Sequence, residues 1–328
     1  MTETATETVL ERQVRPLMIH DCTAAQKLLN LACATMPYSR PIALYEVQEQ
    51  LLGRALWTHY PMQWREQICL GAWQEEELVG LIDIGIGFYR QPYSGDPQIP
   101  YEQNIYNHAL DIFGNRPIGI LRNLILSEEA EASAGASLLK AAQRFWQEAG
   151  VNQVGAFHPH TGYPPFQAGI GILSGDCRDA FQALTAAGYV LGGRYYRLRR
   201  LLEEPSDETL PLADIQLVYQ GNADDRTYQL YWKRTQWIGQ AHLFRTPLTV
   251  KGEQSQTAHI GQLYIDPAWR RQRIGKWLLC RLINDATLQG YSEMLIHVPY
   301  DQHTTLSMLV QQGFQELNYR GYSLSKWL

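Results

Sequence analysis

Four cations lie close together in one turn of the chain, at Arg270, Arg271, Arg273 and Lys276. Arginine presents a planar fork of N–H donors that fits the oxygens of a phosphate group. Such a cluster is typical of a site for a phosphorylated ligand, and the alternative is a solvated basic turn. The elements on either side of the turn decide between these two interpretations.

The segment after these cations is predicted to be a helix. Apolar residues recur every four positions at Ile274, Leu278, Leu282 and Ala286, which is the spacing of one helical face. The cations therefore lie at a helix start, where backbone N–H groups lack intrahelical partners and the helix dipole is positive. A phosphate bound there is stabilised by the backbone as well as by side chains.

The strand, turn and helix resemble the acyl-CoA site of the GCN5-related N-acetyltransferase (GNAT) family, whose signature ends in R/Q-x-x-G-x-G/A. These six positions are Arg270 to Gly275, and Arg273 stands where the family most often has its first glycine. A side chain there tolerates fewer backbone conformations than glycine does. The resemblance implies acetyl-CoA as acyl donor, bound by Leu263, Tyr264, Ile265, Arg270, Arg271, Gln272, Arg273, Ile274, Gly275 and Lys276.

The order of predicted elements extends this resemblance over residues 213 to 328. A hairpin is expected at 228–233 and 237–244, and strands are expected at 260–265 and 292–298. A helix over 301–312, a Gly313-Phe314 corner and a closing strand near 319–324 complete the unit.

The chain also repeats itself, because Gly135-Ala-Ser-Leu-Leu matches Gly275-Lys-Trp-Leu-Leu and Gly188-Tyr189 matches Gly313-Phe314. We therefore expect an α/β (α+β) protein with two tandem GNAT folds, each a mixed, mostly antiparallel twisted sheet flanked by helices. The expected domains are 1–202 and 213–328, with a linker at 203–212. In the first copy, strands are expected at 69–73, 78–87, 124–126 and 154–158, and a helical part at 42–65.

The first copy has lost the charge chemistry of the second. Its loop, Ser127 to Gly135, contains Glu128, Glu129 and Glu131 where the second loop contains arginines, and Ala130 falls opposite Arg270. Carboxylates disfavour anion binding, so we expect the N-terminal copy to be degenerate and to serve as a scaffold or as a wall of the acceptor site.

Catalytic residues are harder to assign, because acyl transfer to an amine needs a base for the amine and an acid for the thiolate. The carboxylate that relatives often have on the strand would fall near Gly261 or Gln262, and their tyrosine would fall on Leu309. We select His259 as the base, directly or through water, since histidine titrates near neutral pH. Tyr300 is the selected proton donor to sulfur.

Several other candidates are kept open. His297 is a second catalytic candidate, and the alternative is a core histidine whose ring is satisfied by hydrogen bonds. Tyr319 and Tyr322 are alternatives to Tyr300 as the proton donor. Asp266 is expected to cap the turn. Aromatic residues that could line an acceptor pocket are Trp232, Trp237, Tyr228, Tyr231 and Tyr264. The long loop 159–175 could cover a cleft or simply pack on itself, and His158 and His160 lack companions at metal-ligand spacing, so no metal site is expected.

Composition limits the remaining possibilities. With 28 Lys and Arg, 33 Asp and Glu and 45% hydrophobic residues, the chain is typical of a globular protein without a general nucleic-acid footprint. The polar N-terminus and the lack of a long apolar run predict neither export nor membrane insertion. Five scattered cysteines suit a reducing compartment, so we expect a cytoplasmic protein.

Two functions follow from these observations. The first is an N-acetyltransferase whose C-terminal copy acylates a small-molecule amine. The second is a non-catalytic acyl-CoA-binding or interaction protein, because the residues usually responsible for catalysis are missing. The sequence indicates neither the acceptor, nor the acyl-chain preference, nor the oligomeric state.

Overall fold

The computed structural model describes residues 14–36, 38–52, 62–89, 117–128, 130, 132–159, 161, 167, 170–250 and 253–328. These residues form two compact units. Unit 1 contains the described residues up to 193 and the terminal residues 322–328, and unit 2 contains residues 194–321.

Unit 1 is a sheet flanked by helices, as the sequence predicts for a GNAT fold. Its strands β1 to β6 are Val14–Pro16, Met62–Gln74, Glu77–Tyr89, Ile118–Leu126, Gln153–Ala156 and Leu173–Ser174. Its helices α1 to α4 are Cys22–Thr35, Leu44–Leu51, Ala132–Glu148 and Arg178–Ala186. The strands pair antiparallel from β1 to β4, whereas β4 and β5 are parallel.

The helical part expected at 42–65 is wrong at its end. Helix α2 ends at Leu51, and Met62 already begins strand β2, while residues 53–61 lie outside the described part of the chain. Trp64 illustrates the reason: it belongs to a ladder in which β2 pairs with β3, so tertiary pairing overrides the local apolar pattern.

Unit 2 contains the residues that the sequence assigns to acyl-CoA binding. Strand β7 (Val190–Leu201) begins in unit 1 and continues into unit 2. It is followed by β8 to β11 (Ile215–Gly221, Asp225–Trp232, Gln236–Val250, Glu253–Ile265), α5 (Ile274–Leu288), β12 (Glu293–Pro299), α6 (His303–Gln311) and β13 (Gln315–Trp327). Strands β8 to β11 are antiparallel neighbours, and β11 and β12 are parallel.

The last strand of each sequence copy pairs with a strand in the unit that is formed mainly by the other copy. Residues 195–201 of β7, from the first copy, pair with β12 of unit 2. Residues 324–327 of β13, from the second copy, pair with β5 of unit 1. The compact units are therefore discontinuous in sequence. The expected domains, by contrast, are two continuous segments divided at a linker of residues 203–212.

The residues of that expected linker are attached to unit 2. Ser206 donates its backbone N–H to Asn284 Oδ1 at 2.7 Å, and Asn284 Nδ2 donates to the Ser206 carbonyl at 3.0 Å. The segment thus lies against helix α5, whose apolar face packs on the sheet through Ile274, Leu278 and Leu282.

Candidate functional site

The site begins where strands β11 and β12 separate. Their parallel register runs from Thr257 opposite Glu293 to Ile260 opposite Ile296 and then ends, although β11 continues to Ile265. A β-bulge lies at the same point, because His242 pairs with Gln262 and Leu243 pairs with Ile260, which leaves Gly261 as the extra residue. Beyond this point β11 is no longer paired with β12, and the gap between β12 and residues 261–265 of β11 is here called the cleft.

The loop after β11 is held by two side-chain hydrogen bonds and contains two left-handed residues. Asp266 accepts the N–H of Ala268 at 2.8 Å, which confirms its predicted capping role. Arg270 donates its Nε–H to the Ile265 carbonyl at 2.9 Å and so holds the loop to the strand end. Arg271 and Arg273 both have left-handed backbones, with φ of 62°. Backbones of this kind turn successive N–H groups toward one point, which is a common anion-binding arrangement.

Helix α5 starts directly after Arg273 and supplies further donors. Within the described residues, no group accepts from the N–H groups of residues 274 to 276. Arg270, Arg271, Arg273 and Lys276 are all exposed beside this helix start. The four cations and the helix N-terminus therefore lie at one place, as expected from the sequence, and residues 270 to 276 could hold a pyrophosphate there.

His259 lies in a buried chain of hydrogen bonds and not at an exposed strand edge. Its Nε2 is 3.0 Å from Nδ1 of His297, and Nε2 of His297 accepts the Nε–H of Arg197 at 2.9 Å. Arg197 also stacks on the ring of Tyr319, with its Cζ 3.6 Å from the ring centroid. Phe244 packs edge-on against His259 on the other side.

The direction of these bonds defines the tautomers of both histidines. Arg197 can only donate, so Nε2 of His297 carries a lone pair and its proton is on Nδ1. That proton points to Nε2 of His259, whose own proton is therefore on Nδ1. We infer that both rings are neutral Nδ1–H tautomers, with the Nε2 lone pair of His259 already engaged.

The tyrosine candidates occupy different surroundings. Tyr300 follows β12 and is half exposed, with rings of Tyr196 and His303 nearby at 6.5 and 6.3 Å between centroids. Tyr319 is buried under Arg197. Tyr322 belongs to unit 1, where it packs against Phe181.

A second histidine, which the sequence did not single out, lies at the bulge. Nε2 of His242 is 2.7 Å from Oδ1 of Asp225 on the neighbouring strand β9. A Cβ atom added to Gly261 would be 2.9 Å from Nδ1 of His242. The only sequence signal for this pair is its position in the predicted hairpin, because the two residues are 17 positions apart.

The aromatic residues proposed to line an acceptor pocket are not all on one face. Trp237 and Tyr264 stack with centroids 5.8 Å apart, whereas Tyr228 is fully buried in the core that α5 covers. Burial also raises the pKa of the Tyr264 phenol, so this group stays protonated. The expectation that Tyr228 lines a pocket is therefore wrong.

The cysteines are not candidates for nucleophilic catalysis. All five are free, and burial raises the pKa of each thiol, as it does for Cys280 in helix α5. A thiol with a raised pKa forms little of the nucleophilic thiolate at neutral pH.

Unit 1 has a bulge at the same point, and a buried ion pair lies there. Asp83 pairs with Asn123 and Ile84 pairs with Leu121, so Arg122 is the extra residue there. Arg122 Nη1 lies 3.2 Å from Asp83 Oδ2, and both side chains are buried. Arg122 Nε donates to the Thr161 carbonyl at 2.8 Å. The first loop presents Glu128 to solvent, while Glu129, Glu131 and His160 lie outside the described residues.

Comparison with known proteins gives this arrangement a family. Residues 195–314 match the model of the acetyltransferase (GNAT) family. The C-terminal part of the chain is a GNAT domain. The match starts in β7, which agrees with the place of that strand in unit 2. GNAT proteins use acetyl-CoA as a co-substrate and catalyse acyl transfer.

Solved structures extend the GNAT fold to the whole chain. A tandem GNAT protein from the clavulanic acid biosynthesis pathway is similar at a TM-score of 0.62 and 11% identity, with 96% of this chain and 98% of that chain covered. A GCN5-related N-acetyltransferase from Sphaerobacter thermophilus gives 0.57 and 12%, with 96% and 95% covered. Two tandem GNAT folds are therefore confirmed.

A third similar structure is the GCN5-related glucosamine N-acetyltransferase region of a fungal multi-domain β-N-acetylglucosaminidase. Its TM-score is 0.64 at 12% identity, with 95% of this chain and 37% of that chain covered. No curated protein matches the chain in a sequence comparison. Among the described residues, no helix is long and apolar enough to cross a membrane.

Proposed function

We propose that this protein transfers the acetyl group of acetyl-CoA to a primary amine of a small molecule, at a site in unit 2. The observation that carries this proposal is that the part of β11 that is not paired with β12 runs straight into the loop that contains the arginines. After Ile260, β11 no longer pairs with β12, and it leads directly into residues 266 to 273 and the start of α5.

The arrangement offers partners to two parts of acetyl-CoA, the amide arm and the pyrophosphate. The backbone of Leu263, Tyr264 and Ile265 lies beyond the last β11–β12 pair, so the extended amide arm of CoA can add to it like a strand. The pyrophosphate then reaches the N–H groups and cations of residues 270 to 276, where charge-assisted hydrogen bonds are strong. Gly275 leaves space there, since an added Cβ would make only ordinary contacts, at 3.6 Å or more.

The catalytic roles of Tyr300 and His259 are part of the proposal. Tyr300 is half exposed and follows the strand that borders the cleft, so its hydroxyl can protonate the departing thiolate. His259 is buried just before the point of opening, and its Nε2 is already engaged by His297, so its proposed contribution is through water and not as the direct base.

A non-catalytic acyl-CoA-binding protein is the second candidate function. Gly261 and Gln262 stand where relatives often have a carboxylate, and the buried Leu309 stands in place of their tyrosine. These positions supply neither a base nor an acid, which favours a protein that binds acyl-CoA without transferring the acyl group.

Calorimetry with acetyl-CoA and an assay of free thiol release across a panel of primary amines separate the two functions. The proposed transferase binds acetyl-CoA and releases thiol only when an amine acceptor is present. Binding without thiol release for any amine supports the second candidate. If acetyl-CoA does not bind, both are overturned.

A further inference from the structure

The bulge residue Gly261 has an acid–base pair beside it that the family signature does not assign. His242 on β10 contacts Asp225 on β9 through Nε2, at 2.7 Å. The two residues are not fully buried, with 15% of the His242 side chain and 50% of the Asp225 side chain exposed. This pair lies on the face of the sheet opposite to helix α5, because Leu243, next to it, belongs to the core that α5 covers.

The tautomer of His242 follows from its carboxylate partner. Asp225 as a carboxylate only accepts, so Nε2 of His242 carries the proton and Nδ1 carries a lone pair. Nδ1 is the nitrogen that lies over Gly261. A ring held by a carboxylate at one nitrogen, with a lone pair on the other, is the arrangement of a general base.

The position of Gly261 connects this nitrogen with the cleft. Gly261 directly follows Ile260, the last residue of β11 that pairs with β12. A side chain at this position would collide with His242 and with Phe244, at 2.9 Å in both cases. Glycine therefore lets the imidazole approach the strand edge where the cleft opens.

We propose that His242 is the general base of the acyl transfer and that Asp225 positions it; this rests on the acyl transfer proposed above. The acceptor ammonium gives one proton to Nδ1 of His242, and the free amine attacks the thioester carbonyl carbon. The C–N bond forms and the C–S bond breaks. Tyr300 protonates the departing thiolate. The second proton that the nitrogen loses then returns to Tyr300 through solvent. The products are an amide and a free thiol.

Other titratable groups surround His242 without taking this role. His259, from β11, lies on the far side of the Phe244 ring. Arg245, the third residue on from His242 in β10, is paired with Asp224 at 3.0 Å. The carboxylate of Asp225 contacts Nε2 of the imidazole, and it stabilises the imidazolium that forms during the reaction.

The test compares His242→Gln with wild type in the thiol-release assay, using an alkylamine acceptor. We expect kcat at pH 7 to fall by about 10²-fold or more, with little change in the KM for acetyl-CoA, because a general base contributes roughly 10²–10⁴-fold. The deficit should shrink as the pH rises toward about 9, since more of the acceptor is then already free amine. Imidazole in solution should partly restore His242→Ala.

Two further variants complete the test. Asp225→Asn should lose less activity than His242→Gln and keep the same pH trend. His20→Gln is the matched control, because His20 also lies beside an aspartate, with its Nε2 3.6 Å from Asp21 Oδ1, but in unit 1; its activity should equal wild type. If the wild type is active and His242→Gln is equally active, or its activity deficit does not depend on pH, the role of His242 is overturned while the proposed function stands. A wild type that releases no thiol overturns the proposed function as well.

Discussion

Unit 1 and unit 2 contain the same bulge at the point where two parallel strands separate, and they use it in opposite ways. In unit 1 the extra residue is Arg122, whose guanidinium is buried against Asp83. In unit 2 the extra residue is Gly261, and the residue at the position of Asp83 is His242. A buried ion pair occupies the bulge of unit 1, whereas a glycine with an imidazole beside it occupies the bulge of unit 2.

The loops after the bulge differ in the same sense. In unit 1 the strand leads to Ser127 and the exposed Glu128, and in unit 2 it leads to the arginines at 270, 271 and 273. The loop of unit 2 therefore carries cations where the loop of unit 1 carries an exposed carboxylate, in line with the acyl-CoA site proposed in unit 2. Two copies of one fold need only a few substitutions at one bulge and one loop to separate a structural role from a binding role.

The largest expected effect comes from transferring the ion pair of unit 1 into unit 2. In the double variant Gly261→Arg with His242→Asp, a guanidinium and a carboxylate would occupy the cleft, so thiol release should fall to background. Circular dichroism and the thermal unfolding temperature check that the variant is folded. Normal acetyl-CoA binding by the folded variant would contradict the comparison.

The next effect tests the two loops. Arg270→Ala with Arg271→Ala should weaken acetyl-CoA binding by about 10²–10⁴-fold, because each charge-assisted hydrogen bond is worth roughly 1.5–3 kcal/mol. Glu128→Ala in the first loop is the matched control and should leave the Kd, measured by calorimetry, unchanged. Equal effects of the two changes would refute the assignment of the active unit.

The ion pair of unit 1 is expected to be needed for stability only. Arg122→Met leaves the Asp83 carboxylate buried without its cation, which typically costs about 3–5 kcal/mol. Hydrogen–deuterium exchange of strands β3 and β4 should accelerate accordingly, while acetyl-CoA binding by unit 2 persists. Adding Asp83→Leu should restore much of the protection, since the uncompensated charge is then removed.

The smallest effect concerns the chain of Arg197, His297 and His259. Two-bond ¹H–¹⁵N spectra of the wild type should show both histidines as Nδ1–H tautomers. Arg197→Met removes the donor to Nε2 of His297, so this ring should shift toward the Nε2–H tautomer, with a stability loss of about 1–3 kcal/mol. An Nε2–H tautomer of His297 in the wild type would contradict the proposed direction of the chain.

Arg197 also shows why the exchange of closing strands matters. The residue lies in β7, which belongs to the first copy in sequence, yet it pairs with His297 of the second. The retention of a copy without acyl-CoA charges has a physical reason here, because this copy provides a strand and a buried cation to unit 2.

Local patterns were sufficient for much of the fold. The apolar period at Ile274, Leu278 and Leu282 predicted helix α5, and the repeated glycines at 135 and 275 predicted two similar copies. The cation cluster at a helix start was likewise visible, since neighbours in sequence also lie close together in space. The helix and the cation cluster each depend on residues within a few positions of one another, whereas the repeat is a comparison of two such local patterns.

The sequence by itself determined the two GNAT folds, the helix start with its cations and the contrast between the two loops. Only the tertiary structure decided that His259 is buried and bonded to His297, that His242 meets Asp225 at the bulge, and that β7 closes unit 2. Those contacts depend on strand register and on pairing between distant segments. A shift of one residue in register moves every side chain to the other face, and which distant segments pair is decided by tertiary packing and not by residues close together in sequence.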